Sequence, residues 1–174
     1  AFSAAVAAWA KSPHWQRVLL LLGEMRGSGV LPVVITYNSA ISACGQNQQW
    51  PWALHLLGEA DSGGLVPDIV TISASISACE KGVQWERSFL LLEDLHGRQL
   101  QPNLITCSSL ISACEKGGQW VLALGLLAGM LMEDLQPNVI TYSAAISACG
   151  RGQRWDLALG LLREMRTRGL VPSK

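Results

Sequence analysis

The sequence predicts an all-α protein, a right-handed α-solenoid of stacked helix-turn-helix units with about ten short helices. Three observations predict it. Trp15, Trp50, Trp85, Trp120 and Trp155 stand 35 residues apart, and Cys44, Cys79, Cys114 and Cys149 keep the same step. Within each period, apolar residues recur twice at helical spacing. Each period closes on proline, at Pro32, Pro67, Pro102, Pro137 and Pro172, and proline cannot continue a helix. Residues 104–138 and 139–173 share 18 identities over 35 positions, so the repeat is internal duplication rather than a chance pattern. The whole of 1–174 reads as one array with units 34–68, 69–103, 104–138 and 139–173, and 1–33 is a further unit in the same register, short of its first two places.

Each unit opens with β-branched residues and a threonine, as in Val34-Ile35-Thr36. Thr36, Thr71, Thr106 and Thr141 fall near an expected helix start, where a hydroxyl can cap free N–H groups. The first helix follows, with Tyr37, Ala40, Ile41 and Cys44, or Tyr142, Ala145, Ile146 and Cys149, on one face. A polar or glycine-containing break is expected next, at Gly45–Gln49, Glu80–Gln84, Glu115–Gln119 and Gly150–Arg154. The second helix is expected to begin near the tryptophan and carries the Ala-Leu-x-Leu-Leu run seen at Ala158–Leu162. A single hairpin of this size cannot bury its apolar face, whereas stacked copies cover one another, so the Trp, Leu, Ile and Cys columns form the continuous core.

Composition narrows the function classes. Hydrophobic residues make up 49% and charged residues 15%, which excludes a disordered polar chain. Thirteen basic residues balance thirteen acidic ones, which excludes whole-surface attraction to nucleic acid or acidic membrane but allows a local basic stripe. No membrane association is expected: an apolar charge-free stretch, Gly117–Met132, contains Gln119 and four glycines and is shorter than the roughly 20 apolar residues that span a bilayer, and the longer charge-free run 27–58 is interrupted by Pro32, Pro51 and polar residues. The opening AFSAAVAAWAKS has neither a basic start nor a polar cleavage region, so no secretory signal is expected. No catalytic constellation and no cofactor site are predicted. His14, His55 and His96 occupy different places in their units, and no glycine-rich phosphate loop with Lys-Ser/Thr is present. Four of the five cysteines occupy one core place per unit and Cys107 replaces the tyrosine of other units, so all are expected to be reduced core residues rather than disulfides or metal ligands.

Two helices per 35 residues, opening with Val34-Ile35-Thr36-Tyr37-Asn38 or Val139-Ile140-Thr141-Tyr142-Ser143 and closing with Gly64-Leu65-Val66-Pro67-Asp68 or Gly169-Leu170-Val171-Pro172, resemble the pentatricopeptide repeat over the whole chain. The tetratricopeptide repeat is 34 residues long and places its tryptophan early in the first helix, whereas here the tryptophan opens the second. Gln99 and Asp134 depart from the closing glycine, and Val33 and Ser173 from the closing Asp or Asn. The resemblance implies a tetratricopeptide-like superhelix that binds single-stranded RNA, one nucleotide per unit, with the RNA running 5′ to 3′ along the chain, in a mitochondrion or chloroplast.

The resemblance further implies that the fifth and last residues of each unit select the base and that the second packs on base faces. The selectors are Asn38 with Asp68, Ser73 with Asn103, Ser108 with Asn138, and Ser143 with Ser173; the packing residues are Ile35, Val70, Ile105 and Ile140. Chemistry agrees with the rule. Asn leaves room for a pyrimidine and Ser for a purine; Asp only accepts and suits a ring N–H, while Asn also donates and suits a ring nitrogen. The expected core is U-A-A, with a weak purine preference at Ser143 and no assignment for Ser3 with Val33. A basic column of Lys11, Lys81, Lys116 and Arg151, interrupted by Gln46, suits successive phosphates, and an acidic column of Glu24, Glu59, Asp94 and Glu164 lies on the expected outer helices. The outer face of 120–132 should present Gly125, Ala128, Gly129 and Leu131 without charge, a candidate surface for a protein partner or self-association. Two alternatives stand beside RNA binding: a protein-binding α-solenoid scaffold, and the RNA-binding part of an RNA-processing enzyme whose catalytic domain lies outside this chain.

Overall fold

The computed structural model describes residues 2–10 and 14–171; Lys11, Ser173 and the Ser3 side chain lie outside the described residues. Ten helices and no strand are found there: α1 Phe2–Trp9, α2 Trp15–Gly27, α3 Val34–Gln46, α4 Trp50–Ser62, α5 Ile69–Lys81, α6 Trp85–Gly97, α7 Leu104–Lys116, α8 Trp120–Met132, α9 Val139–Arg151 and α10 Trp155–Thr167. None is long and apolar enough to cross a membrane.

The helix starts differ from expectation in one respect. The residue before the unit supplies the main cap, and the threonine hydroxyl answers it by accepting that residue's own N–H, Asp68 N to Thr71 Oγ1 (3.3 Å) and Asn103 N to Thr106 Oγ1 (3.5 Å). Asp68, Asn103 and Asn138 accept the backbone N–H of Thr71 (2.8 Å), Thr106 (2.9 Å) and Thr141 (3.0 Å) through Oδ1. The threonine therefore stands at the third helical position and closes a capping box at α5 and α7. Val33 offers no side-chain cap to α3. The first helix also runs further than expected, through Gln46, Lys81, Lys116 and Arg151. The break shrinks to 47–49, 82–84, 117–119 and 152–154. Its middle residue turns into left-handed backbone, at φ 58° for Gln48, 57° for Val83, 69° for Gly118 and 56° for Gln153. That turn lets the next N–H reach back to the cysteine column, for example Gln49 N to Cys44 O (2.8 Å) and Gln119 N to Cys114 O (2.8 Å). The second helices close the same way, and Gln99 and Asp134 take the left-handed conformation of the glycines they replace.

The helices form an α-solenoid of two layers. The first helices α1, α3, α5, α7 and α9 pack side by side, and each second helix packs on its own first helix and on that of the next unit. The second helices meet one another only through long side chains, such as the Arg98–Asp61 ion pair (3.1 Å), so the outer layer is splayed and the first helices line the concave side. Ile41, Ile72, Ile76, Leu110 and Ile111 are buried between the layers.

Tryptophan seals the last three seams. A Cβ on Gly82, Gly117 or Gly152 would fall inside the indole of Trp50, Trp85 or Trp120, so each ring lies flat against the next unit's turn. Arg87 and Arg154 stack on Trp50 (4.8 Å) and Trp120 (4.9 Å). Trp15, Trp50, Trp85 and Trp120 pack as expected, whereas Trp155 is 65% exposed. The five cysteines are free and buried, and burial pushes the thiols of Cys44, Cys79, Cys107 and Cys114 up to about 11. They stay protonated.

Two expectations about the outer layer change. Gly125 and Ala128 are exposed on α8, but Leu131 and Gly129 are half-buried, and the stripe runs instead through Val121 and Met132, the latter 88% exposed. Leu131 turns inward because it lies one residue past buried Met130, on the flank of the packed face. The acidic column is not a bare negative row. Glu59 pairs with Arg26, Asp94 with Arg98 (2.9 Å) and Glu164 with Arg168 (3.0 Å).

Candidate nucleic-acid interface

Places two and five of a unit are three residues apart on the first helix and share its concave face. The last place caps the next first helix, so the chain's return through the second helix brings it beside the fifth place of its own unit. Three consecutive concave pockets result. The first is lined by Ile35, Asn38, Asp68 and Val70, the second by Val70, Ser73, Asn103 and Ile105, and the third by Ile105, Ser108, Asn138 and Ile140. Each has a residue of the expected packing set on either side and one expected selector pair within it. Ser143 lies half-buried on α9; its partner Ser173 is outside the described residues.

The flanking apolar residues are exposed: Ile35 71%, Val70 54%, Ile105 62% and Ile140 65%. Core packing does not explain them. Pocket volume does not follow the size of the fifth residue. It is about 540 Å³ at Asn38, 250 Å³ at Ser73 and 400 Å³ at Ser108. The Asn38 pocket is bounded on its far side by Ala7 and Ala10, whose small side chains leave it wide.

Hydrogen bonds tie the selectors together across each seam through the threonine at place three, whose position in the sequence marks it only as a helix cap. Ser73 Oγ lies 2.7 Å from Thr106 Oγ1, and Ser108 Oγ 2.8 Å from Thr141 Oγ1. In the first pocket Thr71 Oγ1 lies 2.6 Å from Asn38 Oδ1 and 2.8 Å from Asp68 Oδ1, and Asn38 Nδ2 is 3.4 Å from Asp68 Oδ1. Burial would raise the Asp68 carboxyl, but hydrogen bonds from the Thr71 N–H and hydroxyl and from Asn38 outweigh it and hold the group below its ordinary value. Asp68 is therefore an acceptor at neutral pH. In every pocket the cap occupies Oδ1, so the atom left to a ligand is Oδ2 of Asp68 or Nδ2 of Asn103 and Asn138.

The basic column sits on the last turn of the first helices rather than in a loop, and its members differ. Lys116 Nζ pairs with Glu80 of the preceding unit (2.7 Å) and also donates to the Glu80 carbonyl (3.3 Å); Arg151 pairs with Glu115 (2.9 Å). Lys81 faces Gly45 and Gln46 instead of a glutamate, has no ion pair among the described residues, and lines both the second and third pockets. The preceding glutamates do more than soften the potential; they hold two of the three described cations across the seam. The signal was a glutamate recurring one place before the base, 36 residues ahead of its partner.

A family profile described as the pentatricopeptide repeat domain matches residues 6–47 and 90–152, and one described as the PPR repeat matches 35–65 and 140–170. No curated protein sequence matches the chain. Among solved structures, the chain is similar to the pentatricopeptide repeat protein PPR10 in complex with an 18-nt psaJ RNA element, at 27% identity and TM-score 0.76, covering 98% of this chain and 28% of that one. It is similar to maize PPR10 at 26% identity and TM-score 0.60, covering 98% of this chain and 30% of that one. The chain thus spans under a third of the PPR10 chains. It also superposes on the PPR domain of Arabidopsis thaliana protein-only RNase P 1, solved in complex with tRNA, with TM-score 0.83 over 98% of this chain and 90% of that one; at 17% identity that match speaks to the fold alone. With the profiles matching more than half of its length and the 35-residue helical hairpins in place, the chain belongs to the pentatricopeptide repeat family.

Proposed function

We propose that this array is a sequence-selective single-stranded RNA-binding module, one nucleotide per unit over 34–68, 69–103 and 104–138, with U-A-A as its core. One observation carries the reading: three pockets in succession, each bounded by exposed aliphatic side chains at the second place and holding the fifth and last residues at its floor. Water-exposed Ile and Val at a fixed interval have no packing reason, and a stacked base would cover them. Asp68, ionised and accepting, suits the ring N–H of uracil; Asn103 and Asn138, with Nδ2 free, suit the ring nitrogen of adenine. The RNA bound by PPR10, a relative by family and fold, supports the same class of ligand here. Ser143 with Ser173 would add a weak purine preference to the 3′ side. The protein would act on organellar transcripts, in a mitochondrion or chloroplast, by masking or remodelling them, and any chemistry would belong to another domain.

Binding of a labelled single strand containing U-A-A, compared with its complement across a salt series, tests this. The U-A-A strand should bind more tightly, and each correct base should be worth about 1–3 kcal/mol. Lys81 is the one trough cation without an ion pair among the described residues, so the slope of log K against log salt should be shallow, roughly −0.7 per phosphate neutralised. Equal affinity for both strands would remove the base assignments. No RNA binding at all would favour a peptide-binding scaffold.

A further inference from the structure

We propose that Thr71, Thr106 and Thr141 are positioning residues for base selection: each fixes which of its two neighbouring selectors donates a hydrogen bond to the base and which accepts one. The inference rests on the RNA reading above and deepens it. The argument is a count of protons. In the second pocket, Asn103 Oδ1 has no proton to give, and it lies 3.0 Å from Thr106 Oγ1. That contact requires the Thr106 hydroxyl proton. A threonine carries only one, so the 2.7 Å contact between Thr106 Oγ1 and Ser73 Oγ must use the proton of Ser73. The third pocket repeats the pattern: Thr141 Oγ1 donates to Asn138 Oδ1 (3.0 Å), and Ser108 Oγ donates to Thr141 Oγ1 (2.8 Å).

The serine hydroxyl therefore faces the pocket as an acceptor, its proton already committed across the seam. The asparagine faces it as a donor, its Oδ1 committed to the cap. An acceptor beside a donor matches adenine, whose amino group donates next to a ring nitrogen that accepts. It opposes guanine, whose carbonyl accepts next to a ring N–H that donates. A serine free to rotate would accommodate either polarity, and a loose asparagine could turn over its amide. The threonine removes both freedoms.

In the first pocket the polarity reverses. Thr71 Oγ1 lies 2.6 Å from Asn38 Oδ1 and 2.8 Å from Asp68 Oδ1, two acceptors for one hydroxyl proton; the proton goes to the shorter contact, so Asn38 Oδ1 accepts it, while Asp68 Oδ1 is held by the Thr71 N–H (2.8 Å). Asn38 is left with Nδ2 as donor and Asp68 with a carboxylate oxygen as acceptor. A donor beside an acceptor matches uracil, with a ring carbonyl next to a ring N–H. The same threonine thus supports opposite readings, according to the side chains it bridges. Base choice in this chain is set by three residues spanning two units, the third being place three of the following unit.

The test is the preference for adenine over guanine at the nucleotide facing the second pocket, measured by competition binding for the unchanged protein, Thr106→Val and Thr106→Ser. The nucleotide facing the third pocket, read by Ser108, Asn138 and Thr141, is the internal control. Valine keeps the side-chain shape, and its backbone N–H still caps onto Asn103, so the melting temperature checks that the fold survives. We expect Thr106→Val to reduce the adenine preference about tenfold at the second pocket, in line with one lost base contact, and to leave the third unchanged. Thr106→Ser, which keeps the hydroxyl, should restore it. Full preference in the valine variant, equal loss at both pockets, or a serine variant no better than valine would overturn the proposal. An unchanged protein with no adenine preference at either pocket would instead overturn the RNA reading, and this proposal with it.

Discussion

Ile105 and Ile111 stand on the same helix, α7, with opposite fates: the first is 62% exposed on the concave side and the second is fully buried between the layers. The helical period explains the difference in direction, since six residues are about one and two-thirds turns. It does not explain why a β-branched aliphatic side chain should be kept in water four times along the trough, at Ile35, Val70, Ile105 and Ile140. The outer layer treats its surface differently. It pairs its charges, Glu59 with Arg26 and Arg98 with both Asp61 and Asp94. The concave layer also pairs Lys116 and Arg151 with glutamates, but along its pockets it repeats one exposed Ile or Val, one Asn or Ser and one Asp or Asn per unit. The outer helices expose Leu20, Leu90, Val121, Met132 and Leu159 too, but not at one place in every unit, whereas the trough repeats its exposed aliphatic at the same place each time, as a surface awaiting a regular ligand would.

The comparison is broken most severely by exchanging its two isoleucines for alanine. Ile111→Ala should cost about 2–5 kcal/mol of stability, as for other fully buried aliphatic truncations, and calorimetry or denaturant melts would read it. Ile105→Ala should lie within about 0.5 kcal/mol of the unchanged protein, yet weaken RNA binding several-fold. If the two variants lost similar stability, Ile105 would be a core residue and the concave reading would fail. Gly117→Ala comes next. The added Cβ meets the Trp85 indole, and overpacking of that kind costs about 1–3 kcal/mol. Gly125→Ala on the exposed face of α8, where nothing lies within 4 Å, should instead be neutral or mildly stabilising in the same melt. The smallest expected effect is Glu80→Gln. Losing its pair with Lys116 should cost less than about 1 kcal/mol. It should release a second cation to the trough and steepen the salt slope of RNA binding by about 0.7. An unchanged slope would mean that Lys116 does not approach phosphate.

Much of this was legible in the sequence because a strict period aligns equivalent places. The tryptophans mark the starts of five second helices, and the prolines mark the closing turns. What a period hides is contact between different places of neighbouring units. Lys116 with Glu80, Thr106 with Ser73, and Trp85 with Gly117 each join two unlike columns across a seam. Column-wise reading sees a basic row, a row of threonines and a row of glycines, and not the pairs. The shorter breaks have a local cause. Gly45 and Gly150 look like helix breakers but remain helical, Gly45 because its missing side chain admits Ala78, to which a Cβ would come within 3.0 Å. The stop falls instead on Gln48, Val83, Gly118 and Gln153, three of which carry no sequence sign of left-handed backbone. Helical counting alone places Leu131 outside. The packed face, centred on Ala123, Leu127 and Met130, is wide enough to draw it partly in and to leave Met132 out.

The central claim is that each pocket reads its nucleotide independently through the side chains at its floor. Exchanging the first pocket's pair, Asn38→Ser together with Asp68→Asn, copies the chemistry of the second pocket and leaves Thr71 in place. Binding to strands varied at single positions should then move the preference at the first nucleotide from uracil to adenine and leave the two adenine positions as they were. A variant that still prefers uracil there, or one whose preference shifts at all three positions together, would contradict the account.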